Sequence, residues 1–169
     1  AGLLFPMSDD DPDYPALLLW QQIFGAQTTS RLNQRLREKD GLSYEVRSSL
    51  RIPTLDDNAN LAALATCAPQ NGKAALSAMV EEFKLLLEKG PSETELRQAK
   101  EAYDKQLEAM LADDDDLALL LAHLRRVGRD IRYIDELRSQ VQRVELPQLL
   151  SAAKRYLEPA PRLRALTHE

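Results

Sequence analysis

The pattern of apolar and polar residues predicts three strands within the first 67 residues of the chain. Residues 2–7 form an apolar run closed by an acidic turn, which predicts a first strand. Over residues 42–52 apolar and polar side chains alternate, and Ser48 is the one polar residue on the apolar side. This alternation predicts a strand with one buried face. Residues 53–58 form a turn, and residues 59–67 predict a strand inside the sheet because both of its faces carry small apolar side chains.

The second and third strands and the turn between them predict a hairpin, and two helices are predicted between the first strand and this hairpin. Residues 14–24 are densely apolar, and Gly25 after them is a typical helix-stop signal. The hydroxyl side chains of residues 28–30 offer N-caps to a second helix, which Gly41 ends.

Five more helices are predicted after Pro69, where apolar residues recur at helical spacing. Ser92 and Glu95 form a capping box at the start of the second of these helices. Residues 162–167 predict a final strand. The order of elements predicts an α+β fold of two layers, in which helices cover one face of an antiparallel-rich sheet. The face left open should be more apolar than the surface of a free monomer.

Composition narrows the possible functions. A length of 169 residues suits a single domain, 1–169, and the net charge of −5 argues against a nucleic-acid partner. No apolar run is long enough for membrane insertion. The one cysteine, Cys67, excludes an internal disulfide and is interpreted as a small core residue. The chain starts in a strand-like stretch without Met, so we expect a domain cut from a longer protein, in the periplasm or cytoplasm of a bacterium.

The remaining polar clusters have structural interpretations. The acidic runs at 9–11 and 113–116 lack the ligand order of a calcium loop and are interpreted as caps and solvated turns. The arginines at 125, 126, 129 and 132 predict a solvated basic helix face. His123 has no companion ligand and is interpreted as structural, so we expect this segment to hold no metal or other cofactor.

Five segments in order resemble the second domain of pitrilysin/insulinase-type zinc metallopeptidases, the inverzincins, a group that includes bacterial zinc peptidases and mitochondrial processing peptidases. The segment at 29–44, TSRLNQRLREKDGLSY, is similar to the family's signature passage from helix to strand. The other four segments are residues 10–14, 66–71, 90–100 and 152–159. The resemblance covers essentially the whole chain and implies one half of a clamshell that closes over a peptide.

In that family the zinc is bound by an H-x-x-E-H motif in the other half. The only histidines of this chain, His123 and His168, cannot form that motif. The resemblance therefore implies the non-zinc-binding, C-terminal or inactive domain, with zinc in a partner domain or subunit that carries H-x-x-E-H. Such a segment should be inactive alone, although it belongs to a zinc metalloendopeptidase that degrades or processes peptides in a closed chamber.

The resemblance also implies two substrate-binding residues, because the family pattern of Arg, six residues and Tyr is matched by Arg37 and Tyr44. A tyrosine hydroxyl can donate to a developing oxyanion, and a guanidinium can hold a substrate carbonyl. The pattern alone leaves simpler interpretations open: Tyr44 alternates in phase with Leu42 and Val46 as a packing residue would, and Arg37 lies among other basic residues of its helix.

Two alternatives to the peptidase half remain open at this point. The first is a catalytically inactive structural or protein-interaction domain of the same fold. The second is an unrelated α+β regulatory or ligand-binding domain. An H-x-x-E-H motif in the full-length protein or its partner would favour the peptidase.

Overall fold

The computed structural model describes residues 1–158, which form a three-stranded antiparallel sheet and seven helices. The strands are β1 (Gly2–Pro6), β2 (Glu45–Arg51) and β3 (Asn58–Thr66). The helices are α1 (Tyr14–Gln21), α2 (Arg31–Asn33), α3 (Gly72–Lys89), α4 (Glu93–Ala112), α5 (Asp114–Arg126), α6 (Arg132–Arg143) and α7 (Leu146–Leu157). Helices α1 and α2 continue into π-helical turns, Gln22–Ala26 and Gln34–Lys39, and a 3₁₀ turn, Pro69–Asn71, precedes α3. The strand predicted at 162–167 lies outside the described residues.

The sheet has the order β1-β3-β2, so β3 is its central strand, as its apolar composition predicted. Leu61 of β3 faces Leu3 of β1 on one side and Leu50 of β2 on the other. The side chains on this face pack against the helices, whereas the alternate residues of each strand face outward. The α+β architecture of two layers is therefore confirmed.

The core between sheet and helices is built around α1, whose residues are buried on nearly all sides. Trp20 is 1% exposed, and its ring lies 4.8 Å from that of Phe24 and 5.3 Å from that of Phe83 on α3. Helix α1 also packs against α7, which contributes buried residues such as Leu149 and Ala153. A helix that is apolar all round needs neighbours on every side, and the sheet, α3 and α7 supply them.

Gly25 has a different role from the helix stop that the sequence suggested. It lies within the π-helical turn after α1, and its backbone does not have the positive φ of Gly41, Gly90 or Gly128. A Cβ at this position would lie 2.9 Å from both Cβ and Oγ of Ser48 on β2. The prediction of a glycine cap was therefore wrong. Glycine fits at this position because a Cβ would force the neighbouring Ser48 or Leu32 side chain to shift.

Ser48, the one polar residue on the apolar side of β2, is explained by the same contact. Gln21 at the end of α1 donates from Nε2 to the Ser48 carbonyl oxygen at 2.9 Å and to Ser48 Oγ at 3.1 Å. These hydrogen bonds satisfy polar groups that the close packing removes from water. The helix and the strand are therefore joined by a small polar contact inside an otherwise apolar layer.

The capping box predicted at the start of α4 is confirmed and is tied to α2. Ser92 Oγ accepts from the Glu95 amide at 3.2 Å, and the Glu95 carboxylate accepts from the Ser92 amide at 2.7 Å. Arg31 Nε donates to the same carboxylate at 2.6 Å. Burial alone would raise the pKa of Glu95, but the hydrogen bonds from Arg31 and Ser92 outweigh it and lower the pKa to about 2.

The acidic turn after β1 is partly solvated, as predicted, but it also anchors the C-terminal helices. Arg129 donates to both carboxylate oxygens of Asp9, at 2.6 and 2.9 Å, and its guanidinium lies 4.1 Å from the centre of the Tyr133 ring. Tyr156 of α7 donates to Asp11 at 2.6 Å. The interpretation of Arg129 as part of a solvated basic face was therefore wrong, whereas Arg125, Arg126 and Arg132 are exposed as predicted. The reason is that a guanidinium and a carboxylate 120 residues apart meet only in the folded chain.

We predict that Gly25→Ala destabilises the fold by about 1–3 kcal/mol, because the new methyl group overpacks the helix–strand contact. Urea unfolding followed by circular dichroism measures the change. Gly72→Ala is the matched control, because a methyl group added to this first residue of α3 would meet nothing within 4 Å. Equal stability of Gly25→Ala and the parent chain would contradict the close contact.

We also predict that Glu95 stabilises the fold in a pH-dependent way. Because folding lowers the pKa of its carboxyl from an ordinary value of 4.5 to about 2, this stabilisation is complete above about pH 4.5. It is lost as the pH falls towards about 2. The difference in urea midpoint between the parent chain and Glu95→Gln should therefore be largest near neutral pH and shrink steadily below about pH 4.5.

Glu93→Gln is the control for this measurement, because it removes an exposed carboxylate from the same helical turn without touching Arg31. A difference between Glu95→Gln and the parent chain that stays constant from neutral pH down to about pH 2.5 would contradict the role of the carboxylate.

Candidate functional site

The passage from α2 to β2 differs from the regular strand that the sequence predicted. Gly41 adopts a positive φ of 61°, and the Leu42 amide donates to the Leu36 carbonyl oxygen at 2.7 Å. The strand itself begins only at Glu45. The prediction that β2 starts at Leu42 was therefore wrong by three residues, since the backbone of this segment closes the helix end before it joins the sheet.

Tyr44 is turned outward by the bend before β2. Ser43 is the buried residue of the pair, and its Oγ lies 2.7 Å from the carbonyl oxygens of both Glu45 and Thr66, to one of which it donates at a time. The Tyr44 amide donates to the Thr66 carbonyl oxygen at 2.8 Å. As a result, Tyr44 and Glu45 both face outward, and Tyr44 is 75% exposed. Within residues 1–158, Tyr44 is therefore not a packing residue.

Arg37 lies in the π-helical turn Gln34–Lys39 and is exposed. Its neighbours on this turn are held in place: Leu36 is fully buried, and Arg35 forms an ion pair with Asp40 at 2.6 Å. Among residues 1–158, the Arg37 guanidinium forms neither a hydrogen bond nor an ion pair. The two arginines of this turn thus differ: Arg35 stabilises the turn, whereas the donors of Arg37 are available to a ligand.

Both sequence-predicted residues therefore project from the segment that connects α2 to β2. No hydrogen bond joins Arg37 to Tyr44 within the described residues. The two side chains could therefore act together only by binding the same third group. Sequence reasoning missed Ser43, which places Tyr44. The signal was a short hydroxyl residue next to the expected strand start, which can bond the backbone locally.

The outward face of the sheet lies beside Tyr44. It carries Leu64, which is 48% exposed, and Leu4, which is 65% exposed, and small or polar residues lie around them. In register, Leu64 is opposite Arg47 and Leu4 is opposite Asn60. Within residues 1–158 the helices pack on the opposite face, so this face is open and carries the two leucines. That it is more apolar than the surface of a free monomer stays a prediction.

Residues 1–158 do not fit a zinc site by themselves. Residues 1–158 contain no group of three His, Cys, Asp or Glu side chains placed to hold a metal ion. His123 is exposed and lies 3.3 Å from an Arg126 nitrogen, and His168 lies outside the described residues. Any zinc chemistry therefore needs ligands from outside residues 1–158.

A family comparison agrees with this picture. The family model described as the peptidase M16 inactive domain matches residues 1–103. The chain belongs to the peptidase M16 inactive domain family. Its fold, with helices on one face of a small antiparallel sheet, is the fold of that family. As an inactive domain of this family, the chain is a non-catalytic half of a peptidase.

Solved structures extend the likeness of this M16 domain across 92% of the chain or more. The peptidase M16 inactive domain from Pseudomonas fluorescens is 28% identical with a TM-score of 0.73 over 92% of this chain and 37% of that one. An inactive peptidase domain from Bordetella parapertussis is 20% identical, with a TM-score of 0.75 over 92% of this chain and 84% of that one. The periplasmic protease PqqL from Escherichia coli is 22% identical, with a TM-score of 0.68 over 93% of this chain and 17% of that one.

The M16 domain therefore spans little more than a third of the Pseudomonas fluorescens chain and a sixth of PqqL. No curated protein matches its sequence significantly. Within residues 1–158, none of the helices has both the length and the apolar content that crossing a bilayer requires.

Proposed function

We propose that this M16 domain is the substrate-binding half of a zinc peptidase whose metal is held by another domain or subunit with an H-x-x-E-H motif. In this arrangement the open sheet face and the segment from Arg37 to Tyr44 line a chamber that holds a peptide. The observation that carries the proposal is the outward position of Tyr44, which has no packing role to explain it.

The placement of Tyr44 supports a role towards substrate. A tyrosine that is 75% exposed gains nothing from burial, yet the Ser43 hydroxyl and the Thr66 carbonyl oxygen fix the backbone beneath it. A fixed backbone under the exposed phenol limits where its hydroxyl can reach, so less conformational entropy is lost when the hydroxyl binds a substrate oxygen. Its hydroxyl would donate to the oxygen of the peptide carbonyl as negative charge develops there.

The environment of Arg37 supports a role in holding the peptide backbone. Because Asp40 is paired with Arg35, this nearby acidic residue does not neutralise Arg37. A guanidinium with free donors can bind a carbonyl oxygen or a carboxylate in a fixed geometry. Zinc in the partner domain would supply the activated water, while Arg37 and Tyr44 would position and stabilise the carbonyl that this water attacks.

The open sheet face supports a chamber more than a single pocket. Leu4 and Leu64 offer apolar contacts over this face, and Asn60, Arg47 and Thr66 offer polar ones. Such a surface suits extended peptides of varied sequence because backbone groups and mixed side chains can all find partners.

We predict that Tyr44→Phe lowers kcat of the reconstituted peptidase by about a hundredfold and leaves KM nearly unchanged, because the donor acts chiefly in the transition state. A fluorogenic peptide assay with the zinc-bearing partner measures both constants. Thermal unfolding of the variant should match the parent chain, since the lost hydroxyl is exposed. Parent-like kcat in Tyr44→Phe would remove Tyr44 from the mechanism.

We predict that Arg37→Ala chiefly raises KM, because a contact to the substrate backbone is made in the ground state and the transition state alike. Arg37→Lys should recover little of the loss, since an ammonium lacks the planar fork of donors. Lys39→Ala is the matched control: it removes a charge from an exposed residue of the same helical turn. Equal KM values for Arg37→Ala and Lys39→Ala would reduce Arg37 to a contributor of net charge.

The same assay separates this function from that of a purely structural or interaction domain. A scaffold would bind the partner and leave its activity insensitive to both substitutions. A full-length protein and partner without any H-x-x-E-H motif would also favour the scaffold.

A further inference from the structure

A second candidate site lies away from Arg37 and Tyr44, neither of which lines it. A cavity of about 640 Å³ opens between the β2–β3 turn and helices α1, α4, α5 and α6. Its volume falls within the range of about 300–1,000 Å³ that small-molecule sites occupy. The proposed peptidase half makes no use of this cavity.

The floor of the cavity is apolar and comes from four helices. It is formed by Leu18 of α1, Leu107 and Met110 of α4, Leu120 and Leu124 of α5, and Leu137 of α6. Leu124 and Leu107 also form part of a small core cluster between α4, α5 and α6. The floor is therefore a fixed surface and can accept the apolar body of a ligand by the hydrophobic effect.

Three tyrosines add hydrogen-bonding groups to the walls. Tyr14, Tyr103 and Tyr133 all line the cavity. Within residues 1–158 the hydroxyls of Tyr14 and Tyr103 form no hydrogen bond, and that of Tyr133 reaches only the Asp9 carbonyl oxygen at 3.4 Å. Burial, and then the charge of Asp104, raises the pKa of Tyr103 to about 12, so this phenol keeps its proton and can donate at neutral pH.

The rim carries more positive than negative charge, although the chain as a whole is acidic. Three arginines line the cavity, Arg51, Arg126 and Arg129, against two aspartates, Asp9 and Asp56. Asp9 is already paired with Arg129 through two hydrogen bonds of 2.6 and 2.9 Å. In the described part of the chain, neither Arg51 nor Arg126 has an ion-pair partner.

His123 and Arg126 lie one turn apart on α5 and contact each other. An Arg126 Nη lies 3.3 Å from His123 Nδ1. If Arg126 donates in this contact, a neutral imidazole carries its proton on Nε2 and offers a further donor. The guanidinium keeps its remaining N–H groups, which match the two oxygens of a carboxylate.

We propose that this cavity binds a small amphipathic carboxylate, with its apolar body on the leucine floor and its carboxylate held by Arg126, the adjacent His123 donor and Arg51, which also lines the cavity. An apolar floor with an unneutralised guanidinium at its rim complements such a molecule at both ends. A neutral apolar molecule would leave the arginine unused, and a highly charged one would leave the floor uncovered.

Isothermal titration of the 169-residue chain with decanoate, below its micelle concentration, tests the proposal, and decan-1-ol serves as the neutral analogue. We expect one saturable site for decanoate and binding of decan-1-ol at least about tenfold weaker, because hydrogen bonds to charged groups contribute about 1.5–3 kcal/mol. Arg126→Gln should weaken decanoate binding by about tenfold or more and leave decan-1-ol unaffected. Leu120→Trp, which fills the floor from a half-buried position, should abolish both.

Arg125→Gln is the matched control, because Arg125 is exposed on the same helix and does not line the cavity. It should bind decanoate as the parent chain does, and circular dichroism should give all variants the same helical spectrum. Three results would each overturn the proposal: no saturable binding of decanoate, equal affinities for decanoate and decan-1-ol, or equal losses in Arg125→Gln and Arg126→Gln. Because this test needs no peptidase activity, its outcome is independent of the roles of Arg37 and Tyr44.

Discussion

The close approach of α1 to β2 sets the geometry on which the rest of this domain depends. Gly25 allows the helix to lie against the strand, because a Cβ at this position would clash with Ser48. At the same contact, Gln21 satisfies the polar groups of Ser48. Within residues 1–158 the sheet has three strands, and this contact lies on the face that the helices cover. The covered face contains the core, and the opposite face, with Leu4 and Leu64, is left open as a binding surface.

The segment between α2 and β2 depends on this arrangement. The first residue of β2 pairs with the last residue of β3, and Ser43 just before it turns inward, where its hydroxyl can donate to the Thr66 carbonyl oxygen. Tyr44 is displaced outward as a consequence, next to the open face. The same backbone thus closes a helix, starts an edge strand and presents two side chains, Arg37 and Tyr44, that have no structural partner among the described residues. A substrate-binding half of a two-part enzyme requires such a rigid surface, which acts only when a partner supplies the reactive group.

Helix α5 is attached in a different way. Its Leu124 packs in a small separate cluster with Leu107 of α4 and Ile134 of α6, and the ion pair between Asp9 and Arg129, just after α5, connects this part of the domain to the turn after β1. The cavity of about 640 Å³ forms where these two parts of the domain meet, since the β2–β3 turn and α5 do not pack directly upon each other. The arginines at its rim come from both sides of this junction: Arg51 is the last residue of β2, and Arg126 is the last residue of α5.

The sequence by itself determined the class of fold, most helices, the central place of β3, the capping box of α4 and the family, because these depend on periodicity and on local motifs. It also named Arg37 and Tyr44 as candidates through a spacing pattern. It could not decide that Tyr44 faces outward, since the alternation from Leu42 to Val46 is broken by a hydrogen bond to a residue 23 positions away. In the same way, the reason for Gly25 is Ser48, and the partner of Arg129 is Asp9. Each of these depends on contacts between segments distant in sequence, and only the tertiary structure brings those segments together.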